Sequence, residues 1–198
     1  TLHPEFAFLP RKFKIAVSGA KEDRAAIAWH DIGLQLKKNA AGDVGFEVLV
    51  GGGMGRTPIT GVVINPFVPW QNILVFIEAV VRVYNRFGRR DNLYKARIKI
   101  LVKAEGQKFT DAVNAEYEAI LKRDADGERQ IIPTAELERV KASFVDPEAV
   151  KPVAPIDIAA LSADRAYQRW LQRNVHAHRV SGYRAVTLSL KRPGQAPG

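Results

Sequence analysis

The chain has 198 residues, 46% of them hydrophobic, and a formal net charge of +9, enough for one substantial core or for one ordinary domain with an appendage. It contains no cysteine, which excludes disulfides, thiolate catalysis and any cysteine-ligated metal within it. No run approaches the roughly 18 apolar residues of a membrane span, and Thr1-Leu2-His3-Pro4-Glu5 has neither a signal-peptide pattern nor an initiator Met; the expectation is a cytoplasmic protein, not membrane-bound, whose sequence begins inside a larger one.

Taken in chain order, Arg11-Lys-Phe-Lys-Ile-Ala-Val-Ser-Gly19 alternates and then turns apolar, which predicts a strand at about 12–18 with Lys12 and Lys14 on one face. Residues 21–29 read as a short helix. Residues 31–38 alternate again, Asn39-Ala-Ala-Gly-Asp43 is a turn, and Val44–Val50 is β-rich, so the three together predict a hairpin. A glycine loop, Gly51-Gly52-Gly53-Met54-Gly55, leads into a proline-interrupted stretch to which no element is assigned. Ile73, Phe76, Ile77, Val80, Val81, Tyr84 and Phe87 then recur at helical spacing and predict a helix over 71–88. Arg82, Arg86, Arg89 and Arg90 decorate its end, where cations suit the helix dipole. Further helices are expected at 93–103 and 107–122.

Beyond Lys122 the composition shifts to prolines and mixed charge, including Pro133, Pro147, Pro152 and Pro155, as in a connector holding one short helix at 134–143. Residues 164–174 read as helical around Trp170 and Leu171. Residues 183–191 alternate as a strand with no obvious partner nearby. The expected organisation is a domain over 1–124, a Pro-containing connector over 125–163, and a helix and strand over 164–198 leading into a missing second half. The fold class is α+β, a mixed β-sheet packed by helices, with a C-terminal segment that is extended or paired with another copy of the chain.

Residues 1–104 hold 16 Lys/Arg against 8 Asp/Glu, and residues 105–198 hold 14 against 13. An excess of this kind favours anionic partners. The triple-glycine loop is no dinucleotide fingerprint, because no helix starts at its end, and no Gly-Lys-Ser/Thr follows to make a phosphate loop. It is either a tight turn or a backbone able to approach a bulky or charged ligand, with Arg56 beside it. Arg11, Lys12 and Lys14 either point into solvent or converge on one anion as electrostatic clamps and proton donors. The basic segment Arg89–Lys99 would also suit nucleic acid, but no recognised motif accompanies it, and the nearby aromatics lie on the core face of the helix. The histidines are His3, His30, His176 and His178; His176-Ala-His178 lacks the further ligands a metal would need, and no metal site is expected.

Leu9-Pro10-Arg11-Lys12-Phe13-Lys14, Gly45-Phe46-Glu47-Val48-Leu49-Val50-Gly51-Gly52-Gly53 and the segment Arg90–Arg97, in that order, resemble the siroheme- and 4Fe-4S-containing sulfite/nitrite reductases over roughly residues 9–120. The resemblance implies a nitrite/sulfite reductase 4Fe-4S domain-like fold in which Arg11 contacts siroheme carboxylates and Lys12 and Lys14 bind the substrate oxyanion. It places Arg97 near the cofactor and the loop of Gly52, Gly53 and Arg56 close to the macrocycle. Lys14, where the family's nitrite reductases tend to have Asn, tilts the implied substrate from nitrite to sulfite. Siroheme carries many carboxylates, which suits the basic first half, and reduction of sulfite to sulfide consumes protons that lysines can help supply. The family's electron donor, a ferredoxin or a flavoprotein, is implied as a partner, and nucleic acid is not. The four cluster cysteines and further anion-clasping arginines lie in parts of the family absent from these 198 residues. The isolated chain is therefore expected to bind no cluster, to hold siroheme weakly or not at all, and to be inactive alone. Alternatives are a nitrite reductase of the same family, or a non-catalytic basic module binding nucleic acid or another polyanion.

Overall fold

A computed structural model describes residues 4–123, 131–145, 163–181, 183–191 and 194–195. His3 and most of the connector prolines lie outside the described residues. Backbone contacts divide the chain into a unit of Thr1–Ser143 and a unit of Phe144–Gly198.

The first unit carries a four-stranded sheet in the order β1 (Ile15–Ser18), β2 (Ile32–Lys38), β3 (Val44–Val50), β4 (Val62–Pro69). β1 and β2 run parallel while the other neighbours are antiparallel, so the sheet is mixed and the class is α+β as expected. The β2–β3 hairpin closes through side chains as well as backbone: the Asp43 amide donates to the Asn39 side chain (2.8 Å), the Asn39 amide donates to the Asp43 carbonyl (3.0 Å), and Gly42 takes φ 91° in the turn.

β1 begins at Ile15, three residues later than its alternation suggests, for a specific reason. The Lys14 amide donates to the side chain of Asp31 (3.1 Å) and not to a neighbouring strand, so ladder pairing starts one residue on. β4 was not anticipated, because Pro66 and Pro69 argue against a strand. It survives as an edge strand, where proline's missing donor is tolerated, and its pairing with β3 is irregular between Phe46 and Leu49. The helix expected over 21–29 shrinks to one 3₁₀ turn, Ile27–Trp29. Asp23 takes the Ala25 and Ile27 amides (3.1 and 2.9 Å), and Ala26 sits in the left-handed region at φ 51°, so a continuous helix cannot form there.

The helices α1 (Ile73–Phe87) and α3 (Gln107–Arg123) stand where the periodicity puts them. The helix expected over 93–103 is broken by the extended backbone of Arg97 (ψ 151°) into a 3₁₀ turn, Leu93–Lys95, and α2 (Ile98–Glu105). α4 spans Thr134–Ala142. Ile32, Val48, Val50 and Val68 of the sheet pack with Phe76, Val80 and Tyr84 of α1, Ile98 of α2, and Phe109, Val113 and Ile120 of α3 in one apolar cluster, each such side chain contributing about 1.5–3 kcal/mol by leaving water. Arg82, mostly buried, ties the helical layer together through Glu78 (2.8 Å), Glu5 (3.2 Å) and Glu116 (3.6 Å).

In the second unit α5 (Arg165–Asn174) is capped by Asp164, whose side chain accepts from the Ala166 and Tyr167 amides. Only Arg184–Val186 of the expected 183–191 strand forms β6, and it has a partner after all: β5 (Val175–Ala177), antiparallel and close in sequence. Among the described residues no helix is long and apolar enough to cross a membrane, and no group of three His, Asp or Glu could hold a metal.

Candidate functional site

The segment Arg11–Lys14 is pinned from both sides before it enters the sheet. The Arg11 guanidinium donates to the Leu93 carbonyl (2.7 Å), and the Arg11 carbonyl accepts from the buried Tyr84 hydroxyl (3.1 Å). At the other end the Lys14 amide is held by Asp31, and the Lys14 carbonyl accepts from Ile32 (3.1 Å). The backbone is thus fixed while the Lys12 and Lys14 side chains stay exposed. Neither ammonium has a hydrogen bond or ion pair among the described residues.

Two loops face this segment. One is the 23–31 loop, in which the left-handed turn at Ala26 presents Trp29 (41% exposed) and His30, whose Nδ1 lies 2.9 Å from the Ala26 carbonyl. The other is the glycine loop. Gly51 has φ 93°, and its amide donates to the Asp31 carbonyl (2.9 Å). A Cβ on Gly52 would lie 2.3 Å from the Ala28 carbonyl oxygen, and one on Gly53 would lie 2.6 Å from Arg97 Nη2. Both glycines therefore serve close approach within the protein: Gly52 lets two loops touch, and Gly53 leaves room for a guanidinium. Met54, 60% exposed, follows them.

Arg97 closes the assembly. Its Nε and Nη2 donate to Asp31 Oδ1 (3.2 and 2.8 Å), and its Nη1 donates to the Met54 carbonyl (3.1 Å). Asp31 is 2% exposed. Behind them Lys99, also buried, donates to the carbonyls of Met54 (3.2 Å) and Thr57 (2.6 Å). Burial, and then the Arg97 charge, push its ammonium below the ordinary lysine range, with Asp31 opposing.

The result is an open cavity of about 490 Å³. Arg11, Lys12, Lys14 and Arg97 bring cations to it, and Trp29 and Met54 bring apolar surface. Of the residues singled out in the sequence, these four basic ones come together. Gly52 and Gly53 are buried and do not line the cavity, and Arg56 is exposed on the glycine loop without lining it. Asp31, Trp29 and Tyr84 carry no functional expectation from the sequence, and Lys99 enters it only as the end of the basic segment Arg89–Lys99. Nothing local marks a carboxylate or hydroxyl that becomes buried against partners far along the chain. Chemically, the arrangement can hold a small oxyanion on two ammonium groups beside a larger, partly apolar and carboxylate-bearing ligand.

Residues 1–121 match the family model described as the nitrite and sulphite reductase 4Fe-4S domain. The chain is similar to a protein of Synechococcus elongatus named sulfite reductase (ferredoxin), 38% identical over 118 residues that make up 56% of this chain and 19% of that protein. It is also similar to the assimilatory ferredoxin-dependent nitrite reductase of Haloferax mediterranei, 36% identical over 115 residues, 55% of this chain and 20% of that one. Among solved structures, the Mycobacterium tuberculosis NirA protein is similar with a TM-score of 0.53 and 32% identity, over 59% of this chain and 21% of that one. The chain thus spans about a fifth of the length of the relatives it matches.

Proposed function

Because this chain belongs to the nitrite and sulphite reductase 4Fe-4S domain family, we propose that it is the cationic part of a siroheme-dependent sulfite reductase active site, reducing sulfite to sulfide only together with the rest of that enzyme. The observation that carries the reading is that Lys12 and Lys14 face one cavity without an ion pair among the described residues, while the buried carboxylate beside them is committed to Arg97. Two ammonium groups on one backbone segment are suited to hold a sulfite oxyanion, to stabilise charge as it develops, and to deliver protons at Nζ.

The residues fit siroheme. Arg11 would supply a cation for its carboxylates, and Trp29 and Met54 would supply apolar contact for the macrocycle. When bound, siroheme supplies the iron centre to which electrons are delivered. The residues do not fit a 4Fe-4S cluster, since the 198 residues include no cysteine; its ligands belong to another part of the reductase. An electron donor protein, a ferredoxin or a flavoprotein, and a cytoplasmic setting complete the reading, with 1–124 as the contributing domain, 125–163 as connector and 164–198 as the lead into a further half.

The test is Lys14→Asn in the full-length reductase. Sulfite turnover is expected to fall about 10²-fold, the usual cost of removing one group that stabilises a developing oxyanion. Unchanged sulfite turnover would sink the assignment of Lys14, and a retained rate with nitrite alone would favour a nitrite reductase, the activity named for the Haloferax mediterranei relative. The purified 198-residue chain should show no intense haem-like absorption bands and no turnover; strong bands would overturn the expectation that it retains little siroheme.

A further inference from the structure

Asp31 is a buried carboxylate at the edge of an otherwise cationic cavity, and its two oxygens serve different segments. Oδ2 accepts from the Lys14 amide (3.1 Å), and Oδ1 accepts from Arg97 Nε and Nη2 (3.2 and 2.8 Å). Arg97 in turn reaches a third segment through the Met54 carbonyl (3.1 Å). We propose that Asp31 and Arg97 form a positioning brace that sets where the Lys12 and Lys14 side chains project, so that Arg97 acts through Asp31 and not on the ligand. The inference rests on the reading of Lys12 and Lys14 as the anion clamp.

The geometry has three parts. First, Lys14 lies at the point where β1 has not yet joined the sheet, so its amide has no ladder partner and takes its direction from Asp31. Lys12, two residues earlier, lines the same cavity, and the backbone between it and Lys14 is short, so one constraint limits where both ammonium groups reach. Second, all three guanidinium nitrogens of Arg97 donate within the protein, and its charge is balanced by Asp31 at 2.8 Å. The free positive charge at the cavity is thus left to Arg11, Lys12 and Lys14. Third, the guanidinium lies where a side chain on Gly53 would be, 2.6 Å from an added Cβ. That links the glycine loop to the same brace. Arginine is suited to this because its planar fork spans two acceptors at once, which the point charge of a lysine does not.

The experiment uses the isotopically labelled 198-residue chain, with sulfite as the probe anion at fixed ionic strength, and follows amide shifts and amide hydrogen exchange in the wild type, Asp31→Asn, Arg97→Lys and the double variant. Each single substitution is expected to speed exchange at Lys14 and to weaken sulfite binding by about tenfold, the size of coupling between groups in one hydrogen-bond network; the double variant should be no worse than either. Val48, in the core, should exchange as in the wild type. Equal acceleration at Val48 would mean a general loss of stability and would overturn the brace. Additive losses in the double variant would overturn it too, as would weakened binding in Arg97→Lys with Asp31→Asn unchanged, which would make Arg97 a direct ligand. If Asp31→Asn does not fold, Arg97→Lys carries the same comparison. If the wild-type chain shows no sulfite shifts at Lys12 or Lys14, the clamp reading fails in this chain, while exchange at Lys14 still decides the brace: faster in the variants supports it, unchanged refutes it.

Discussion

Tyr84 carries a hydroxyl into a fully buried position on α1, where its one proton is shared between the carbonyls of Ala96 (2.8 Å) and Arg11 (3.1 Å). These are the residues next to Arg97 and Lys12, so one phenol ties both walls of the cavity to the helix behind it. Tyr84→Phe removes the only donor while leaving the ring, and two carbonyls lose a partner. We expect a loss of about 1–3 kcal/mol in urea unfolding, the cost of stranding buried polar groups, with the helix content of the folded state unchanged. A change within error would mean that water replaces the hydroxyl. The basic residues of the site were legible in the sequence because three cations within four positions is a local pattern. Tyr84 was legible only as an apolar position of α1, since its hydroxyl partners lie 12 and 73 residues away. Asp31 was hidden for the same reason, its arginine being 66 residues further on.

Among the elements, the glycine loop separates two kinds of crowding. An added Cβ at Gly52 meets the backbone carbonyls of Ala28 and His30 at 2.3 and 2.5 Å, which cannot move without the whole loop. At Gly53 it meets the end of the Arg97 side chain, which can move only by giving up its bonds to Asp31 and Met54. Gly52→Ala is therefore expected to cost roughly 3 kcal/mol, at the upper end of the usual penalty for overpacking, and Gly53→Ala about 2 kcal/mol, for the Arg97 hydrogen bonds it displaces. Thermal unfolding of the two variants checks the order, and the reverse order would contradict these contacts. α1, α3 and the β2–β3 hairpin were readable because their periodicity is continuous and their turns are local. β4 was not, since its prolines are acceptable only at a sheet edge, and edge position is a property of the finished sheet. The break between the Leu93–Lys95 turn and α2 was invisible for a related reason: Arg97 is a good helix former pulled into extended backbone by Asp31 and Met54.

At the scale of the whole molecule, charge falls into three blocks that a division into halves conceals. Residues 105–162 hold seven Lys/Arg against twelve Asp/Glu, and residues 163–198 hold seven against one. Residues 163–198, the C-terminal part of the second unit, are thus strongly basic, and electrostatic retention of the whole chain on a polyanion would not by itself report on the site. Stability should also depend on alkaline pH. Burial raises the Tyr84 and Tyr117 phenols above the ordinary 10.0, and it lowers the Lys99 ammonium from 10.5. Approaching pH 10.5 from below, the unfolded chain keeps a lysine proton that the native state sheds, which favours folding as pH rises. Above pH 10.0 it loses phenol protons that the native state keeps, so the tyrosines disfavour folding as pH rises. Only about one pH unit above 10.5, where both states have lost the lysine proton, do the tyrosines act alone. Urea midpoints should then fall with increasing pH, less steeply in Tyr84→Phe and in Tyr117→Phe than in the wild type, and a slope unchanged from the wild type in both variants would rule out this origin.

The ion pair between Asp31 and Arg97 also has a consequence in time. A growing chain presents Lys12, Lys14 and Asp31 long before residue 97 has been made, and the hairpin that follows Asp31 can close on its own five-residue turn. Until Arg97 arrives, Asp31 is a carboxylate with no partner for its charge, and such a group resists being buried. The first segment must stay hydrated and open through that interval. The cavity therefore cannot be complete before Arg97 has been made, and a chain interrupted before Arg97 would have the lysines but no fixed place for them.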